Sequence, residues 1–220
     1  MPSALAAAIF GFLLGLRHAT DADHVVAITT IVSRERSFRR AAWIGGLWGV
    51  GHSLTVLVVG GALVVTRRVI PPRLGLGLEF GVALMLILLG FSALRTGERS
   101  QHHRHDAGSW FRGLRPLAVG VVHGLAGSAA VALLVLAAIP ETGRALAYLA
   151  VFGLGTIAGM TIVTAMLAAP AVFAAGRLPQ FQHGVRLAAG VLSVAVGVLM
   201  AQQIVTSGGL FAAEPSWSPR

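Results

Sequence analysis

The chain has 220 residues, 55% of them hydrophobic and only 11% charged, and its net charge of +9 rests on 17 basic residues that are all arginine. So little charge excludes an ordinary soluble globule and points to an integral membrane protein. The arginines stand in short segments between apolar runs, which argues against a nucleic-acid-binding face, and the absence of cysteine excludes disulfides and thiolate metal sites.

Six apolar stretches are long enough to cross a bilayer, which takes roughly 20 residues each. They lie at 4–32, 42–66, 75–95, 115–139, 145–170 and 184–206, with Pro71-Pro72, Pro116, Pro140 and Pro179 at the joints. The expected fold is all-α and polytopic. Its divisions are a first three-helix half at 1–95, a His-rich cytoplasmic loop at 96–114, a second half at 115–207 and a loose tail at 208–220. No basic residue precedes the first run and no small-residue cleavage site follows it, so it reads as mature protein rather than signal peptide. Connections after spans one, three and five carry 11 arginines, and the opposite side carries 5. The richer side is expected in the cytoplasm, which places both termini outside.

Span one contains "RHATDADH", residues 17–24, with five ionisable groups where lipid is expected. At mid-membrane Arg17, Asp21 and Asp23 each cost roughly 2.5–3.5 kcal/mol, against roughly 10 kcal/mol gained from about 20 leucine-like residues. Such a span barely inserts unaided, so internal pairing, a watery cavity or a bound cation must offset the cost. On a continuous helix, at about 100° per residue, His18, Asp21 and His24 share one arc. Asp23 then points elsewhere, as a partner to a ligand or a counter-charge to Arg17. Two imidazoles and a carboxylate suit nickel, cobalt or zinc and suit magnesium or calcium poorly.

Span two contributes His52 within "GVGHSLTV", where Gly45, Gly46, Gly49 and Gly51 allow another backbone to approach closely. The connection 96–114 follows span three, and its "QHHRHD" offers His102, His103 and His105 as loose metal-capture groups. Span four contributes His123 within "VVHGLAGSAA". For His52 and His123 the alternative is a structural hydrogen bond between helices; for the loop it is a solvated segment. Glu79 is assigned no role. The halves echo each other weakly: His18 lies opposite His123, Gly46–Val56 lies against Gly153–Val163, and Glu79 and Gly90 are spaced like Arg186 and Gly197. Three spans per half suggest two inverted repeats, a recurrent transporter plan with a site at the midplane.

These motifs resemble those of the nickel/cobalt transporter family (NiCoT). "RHATDADH" is similar to its signature, a histidine, four residues, then Asp-His, here His18, Asp23 and His24. "GVGHSLTV" is similar to its second motif. Typical members have eight helices with the signature on the second. This chain, with the signature on the first of six, resembles the shorter branch labelled urease-accessory or nickel-permease-like. The family's later acidic motifs are missing, and "HGLAGSAA" stands in their place.

The resemblance implies a permease of the cell membrane that takes up Ni²⁺ or Co²⁺ as substrate, with no resident cofactor and no enzymatic activity. His18, Asp21, His24 and His52 are expected to form the site, with Asp23 tuning it and His123 completing the path. Efflux of the same metals and delivery of metal to urease or hydrogenase maturation proteins are the alternatives. No Walker loop, His-Glu-x-x-His or Gly-x-Ser-x-Gly occurs. Imidazole must be neutral to ligate, so uptake is expected to fall below about pH 6.5.

Overall fold

The structure, a computed structural model, describes residues 4–33, 35–68, 70–95, 109–173 and 179–217. Among these there are helices and no strands. In chain order they are α1 (Ala4–His18), α2 (Ala22–Val32), α3 (Phe38–Thr55), α4 (Gly61–Thr66), α5 (Pro72–Arg95), α6 (Ser109–Ala138), α7 (Thr142–Leu167), α8 (Ala169–Phe173) and α9 (Pro179–Thr206). A π-helical turn, Val56–Gly60, joins α3 to α4 as one rod.

Four helical segments among the described residues are long and apolar enough to cross a membrane: Phe38–Thr66, Pro72–Arg95, Thr142–Phe173 and Gln182–Thr206. The pair α1 and α2, bent by 56°, is apolar enough to make a fifth when the two helices are taken as one broken span. Helix α6 occupies the expected fourth span, with Leu114–Gly127 as its described apolar stretch. The helix ends alternate as six passes require. Arg67, after α4, donates to the Pro140 carbonyl between α6 and α7, and Arg73 at the start of α5 donates to the carbonyls of Ala212 and Ala213 beyond α9. At the other end, Phe38 of α3 meets Phe173 of α8.

The outside is apolar and bulky. Leu5, Phe10, Trp43, Leu88, Leu154 and Met166 are all exposed, which suits a surface facing lipid. Small residues fill the contacts between helices. A Cβ on Gly51 would lie 2.3 Å from the Leu117 carbonyl oxygen, and one on Gly155 would lie 2.1 Å from that of Phe12. Without a hydrophobic force between helices in lipid, such close backbone approach supplies the packing energy.

The contacts are reciprocal. Gly15 approaches Phe152 and Thr156 as Gly120 approaches Trp48 and His52, and Gly90 approaches Gly190 as Gly197 approaches Ala83. His18 and His123 fall at matching places in this pattern, three residues beyond Gly15 and Gly120. The register between α3 and α7 differs from the sequence expectation: Gly51 corresponds to Gly155, three residues away from the alignment of Gly46 with Gly153. Glycine-rich helices match at several offsets, and only the packing selects one.

The tail expected to be loose is held down as far as Trp217. Gly209, at φ +64°, takes the left-handed conformation that favours glycine and turns the chain back after α9. Ser216 then donates its backbone N–H to the Gly208 carbonyl.

Candidate metal site

The first span is broken where its charge is concentrated. Helix α1 stops at His18, and Thr20 and Asp21 donate their N–H groups to Arg17 and His18 three residues back, a tight turn in place of a helical one. Helix α2 restarts at Ala22. Asp21 stands at its N-cap position but makes no side-chain cap bond; its Oδ2 instead accepts from His18 Nδ1 at 2.8 Å. Asp23 lies in the first turn of α2, where the helix dipole favours a carboxylate.

This break overturns the continuous-helix geometry in which Asp23 points away. Asp23 is central. Its Oδ1 accepts from both the backbone N–H and Nδ1 of His24 at 2.9 Å, and its Oδ2 accepts from His123 Nε2 at 2.9 Å. Arg17 is exposed, and with histidines on both oxygens Asp23 does not serve as its counter-charge. Asp21 has a side chain 51% exposed and touches the cluster only through His18.

Four imidazoles converge beside it. His18 Nε2 and His52 Nε2 face each other at 3.2 Å. The His24 ring centre lies 4.6 Å from that of His18, 5.1 Å from that of His52 and 4.2 Å from that of His123. His24, His52 and His123 are buried, and Trp48 lies against the rings of His24 and His123. Among the described residues two overlapping sets could hold an ion, His18–His24–His52 and Asp23–His24–His123, each with its ligand atoms within 4.8 Å of one another.

Hydrogen bonding fixes which nitrogen is free. Asp23 accepts a hydrogen bond from Nδ1–H of His24, so the Nε2 of that ring carries the lone pair, and that atom is buried with no protein partner. Asp21 does the same for His18, leaving Nε2 toward His52. A carboxylate behind an imidazole sets its tautomer and raises its basicity as a ligand. The chemistry of the donor set is neutral nitrogen with one carboxylate, suited to a borderline divalent cation.

A cavity of about 340 Å³ opens onto the cluster, lined in part by His18, Asp21, Asp23, His24 and His123. Two of its features were missed by the sequence reading. Glu79 of α5 also lines it. Gly127 of α6 leaves open the space beside the facing imidazoles, for a Cβ there would lie 3.9 Å from Nε2 of both His18 and His52. The loop residues His102, His103 and His105 lie outside the described residues.

Over residues 4–108 the chain matches the NicO family model, described as high-affinity nickel-transport protein. It is 30% identical over 212 residues to the urease accessory protein UreH of Bacillus sp. (strain TB-90), covering 91% of this chain and 92% of that one. It is also 32% identical over 99 residues to a high-affinity nickel transport protein of Cupriavidus necator, covering 42% of this chain and 28% of that protein. No solved structure matches it.

Proposed function

We propose that this chain, which belongs to the NicO family of high-affinity nickel-transport proteins, carries Ni²⁺ inward across the cell membrane through the histidine cluster at the break in its first span. One observation carries the reading: His18, His24 and His52 bring ligand atoms within 4.8 Å of one another, the last two of them buried. A cation passing between apolar helices needs such ligands to replace its water.

His24 belongs to both ligand sets. A cation held by His18, His24 and His52 can therefore pass to Asp23 and His123 by exchanging two ligands while keeping His24. That keeps each step small, as conduction through a selective site requires. The reciprocal contacts between the halves support transport in which each half in turn exposes the cluster. The driving force is the membrane potential or an ion gradient. Nickel or cobalt is cargo here rather than a resident cofactor, and both termini face outward.

A second reading has its own support. The urease accessory relative covers nearly the whole chain, which favours a carrier whose nickel is handed to metalloenzyme maturation proteins inside the cell. That reading shares the inward direction. Accumulation of ⁶³Ni by cells expressing the protein tests both: inward transport raises cell-associated nickel, and an exporter lowers it below that of control cells.

A further inference from the structure

The cavity leading to the histidine cluster has a neighbour. A second space of about 240 Å³ is lined by residues of α5, α9 and the tail, among them Leu76, Gln203, Ser207 and Trp217. Glu79 and Ile204 line both spaces, so the two meet at that carboxylate. Across this junction Trp217 Nε1 donates to Glu79 Oε1 at 2.8 Å.

The tail is shaped to reach this place. Gly208 and Gly209 end α9 and turn the chain back, and Arg73 holds the carbonyls of Ala212 and Ala213. The indole of Trp217 then lies against Gly75, where a Cβ would come within 2.5 Å of its ring. Only glycine at that position lets the ring seat. Four residues further along α5 stands its hydrogen-bond acceptor, Glu79. The anchors are a few polar bonds and one ring, at an end of the molecule where the tail residues Phe211 to Glu214 are exposed. Segments held by so few buried contacts open at low free-energy cost.

We propose that residues 207–217 form a strap over the mouth of the metal-site cavity, with the hydrogen bond from Trp217 to Glu79 as its latch. With the latch made, the indole covers the carboxylate at the junction of the two spaces. With the strap lifted, Glu79 and the cavity behind it open to water on the side where the chain ends. The importance of this gate for nickel rests on the transport reading, but its existence does not.

The chain contains no cysteine, so a single probe can be placed without altering the background. Ala126 of α6 lines the cavity, as does Val196 of α9. Purified Ala126→Cys protein is treated with a water-soluble cationic methanethiosulfonate, and the labelling rate is compared with those of the same protein carrying Trp217→Phe, Gly75→Leu or Glu79→Gln. Losing a hydrogen bond to a charged acceptor shifts an open–closed equilibrium by roughly tenfold or more. Trp217→Phe and Gly75→Leu should speed labelling by about that factor, and Glu79→Gln, whose amide oxygen still accepts, should change it little. Val196→Cys should give the same order and serves if Ala126→Cys does not fold. Labelling of both probes at the parent rate in Trp217→Phe and Gly75→Leu overturns the strap. Because no nickel is present, that result leaves the transport reading standing, and faster labelling of the variants together with no nickel flux by the unaltered protein would sink the transport reading alone.

Discussion

Asp23 Oδ2 on α2 accepts a hydrogen bond from His123 Nε2 on α6 at 2.9 Å, joining the two halves of the chain across 100 residues of sequence. With its other oxygen on His24, this carboxylate sets the free nitrogen of that imidazole and ties the opposite half to the same point. Asp21 does less. It is exposed and orients only His18.

The two aspartates should therefore separate on mutation. Orienting partners of metal ligands typically contribute 10- to 100-fold in affinity or activity. Asp23→Asn should lower ⁶³Ni flux by at least that factor while the protein stays in the membrane. Asp21→Asn should cost about tenfold or less. Equal effects from the two would contradict the geometry of the break.

His52 is buried, and its Nε2 faces that of His18. As a ligand it has no substitute, so both His52→Ala and His52→Asn should transport poorly. As a mere bond between helices it could be replaced by Asn at a cost of roughly 0.6–2 kcal/mol in stability. Flux and membrane insertion measured for both variants decide between them, and a transport-competent Asn variant removes His52 from the site.

Gly127 tests the open space beside the imidazoles. A Cβ there makes ordinary contacts at 3.5 Å and beyond, so Gly127→Ala should keep most activity. Gly127→Val should reach the nitrogens and abolish nickel binding by isothermal titration, with insertion unchanged. Tight binding by the Val variant would place the cation elsewhere.

The sequence made the main parts of this site legible, and the reason is energetic. Charge inside an apolar run is costly enough that His18, Asp23 and His24 stand out without any structure, and the glycines around His52 announced a close helix approach. The role of Asp23 was not legible. It depends on a helix break with no Gly or Pro to mark it, made instead by the turn at Arg17–Asp21 and the bond between His18 and Asp21. Gly127 and Glu79 escaped for another reason: an empty space and a half-buried carboxylate acquire meaning only from what other helices bring near them. The tail looked loose because its anchors, Gly75 and Arg73, lie about 140 residues earlier.

The loop histidines make a contrasting case. His102, His103 and His105 lie outside the apolar spans, so deleting residues 101–106 should weaken apparent affinity or regulation while leaving measurable flux. A stably inserted deletion with no flux would show that the pathway runs through that loop.

His24 is the residue both ligand sets share, and its free Nε2 is buried without a protein partner. Uptake of ⁶³Ni into proteoliposomes containing purified His24→Ala, beside the unaltered protein, therefore tests the central claim most directly. Saturable uptake by the unaltered protein, with uptake by His24→Ala no greater than that of empty vesicles, is the expected result. Uptake by correctly inserted His24→Ala at a rate close to that of the unaltered protein would contradict it.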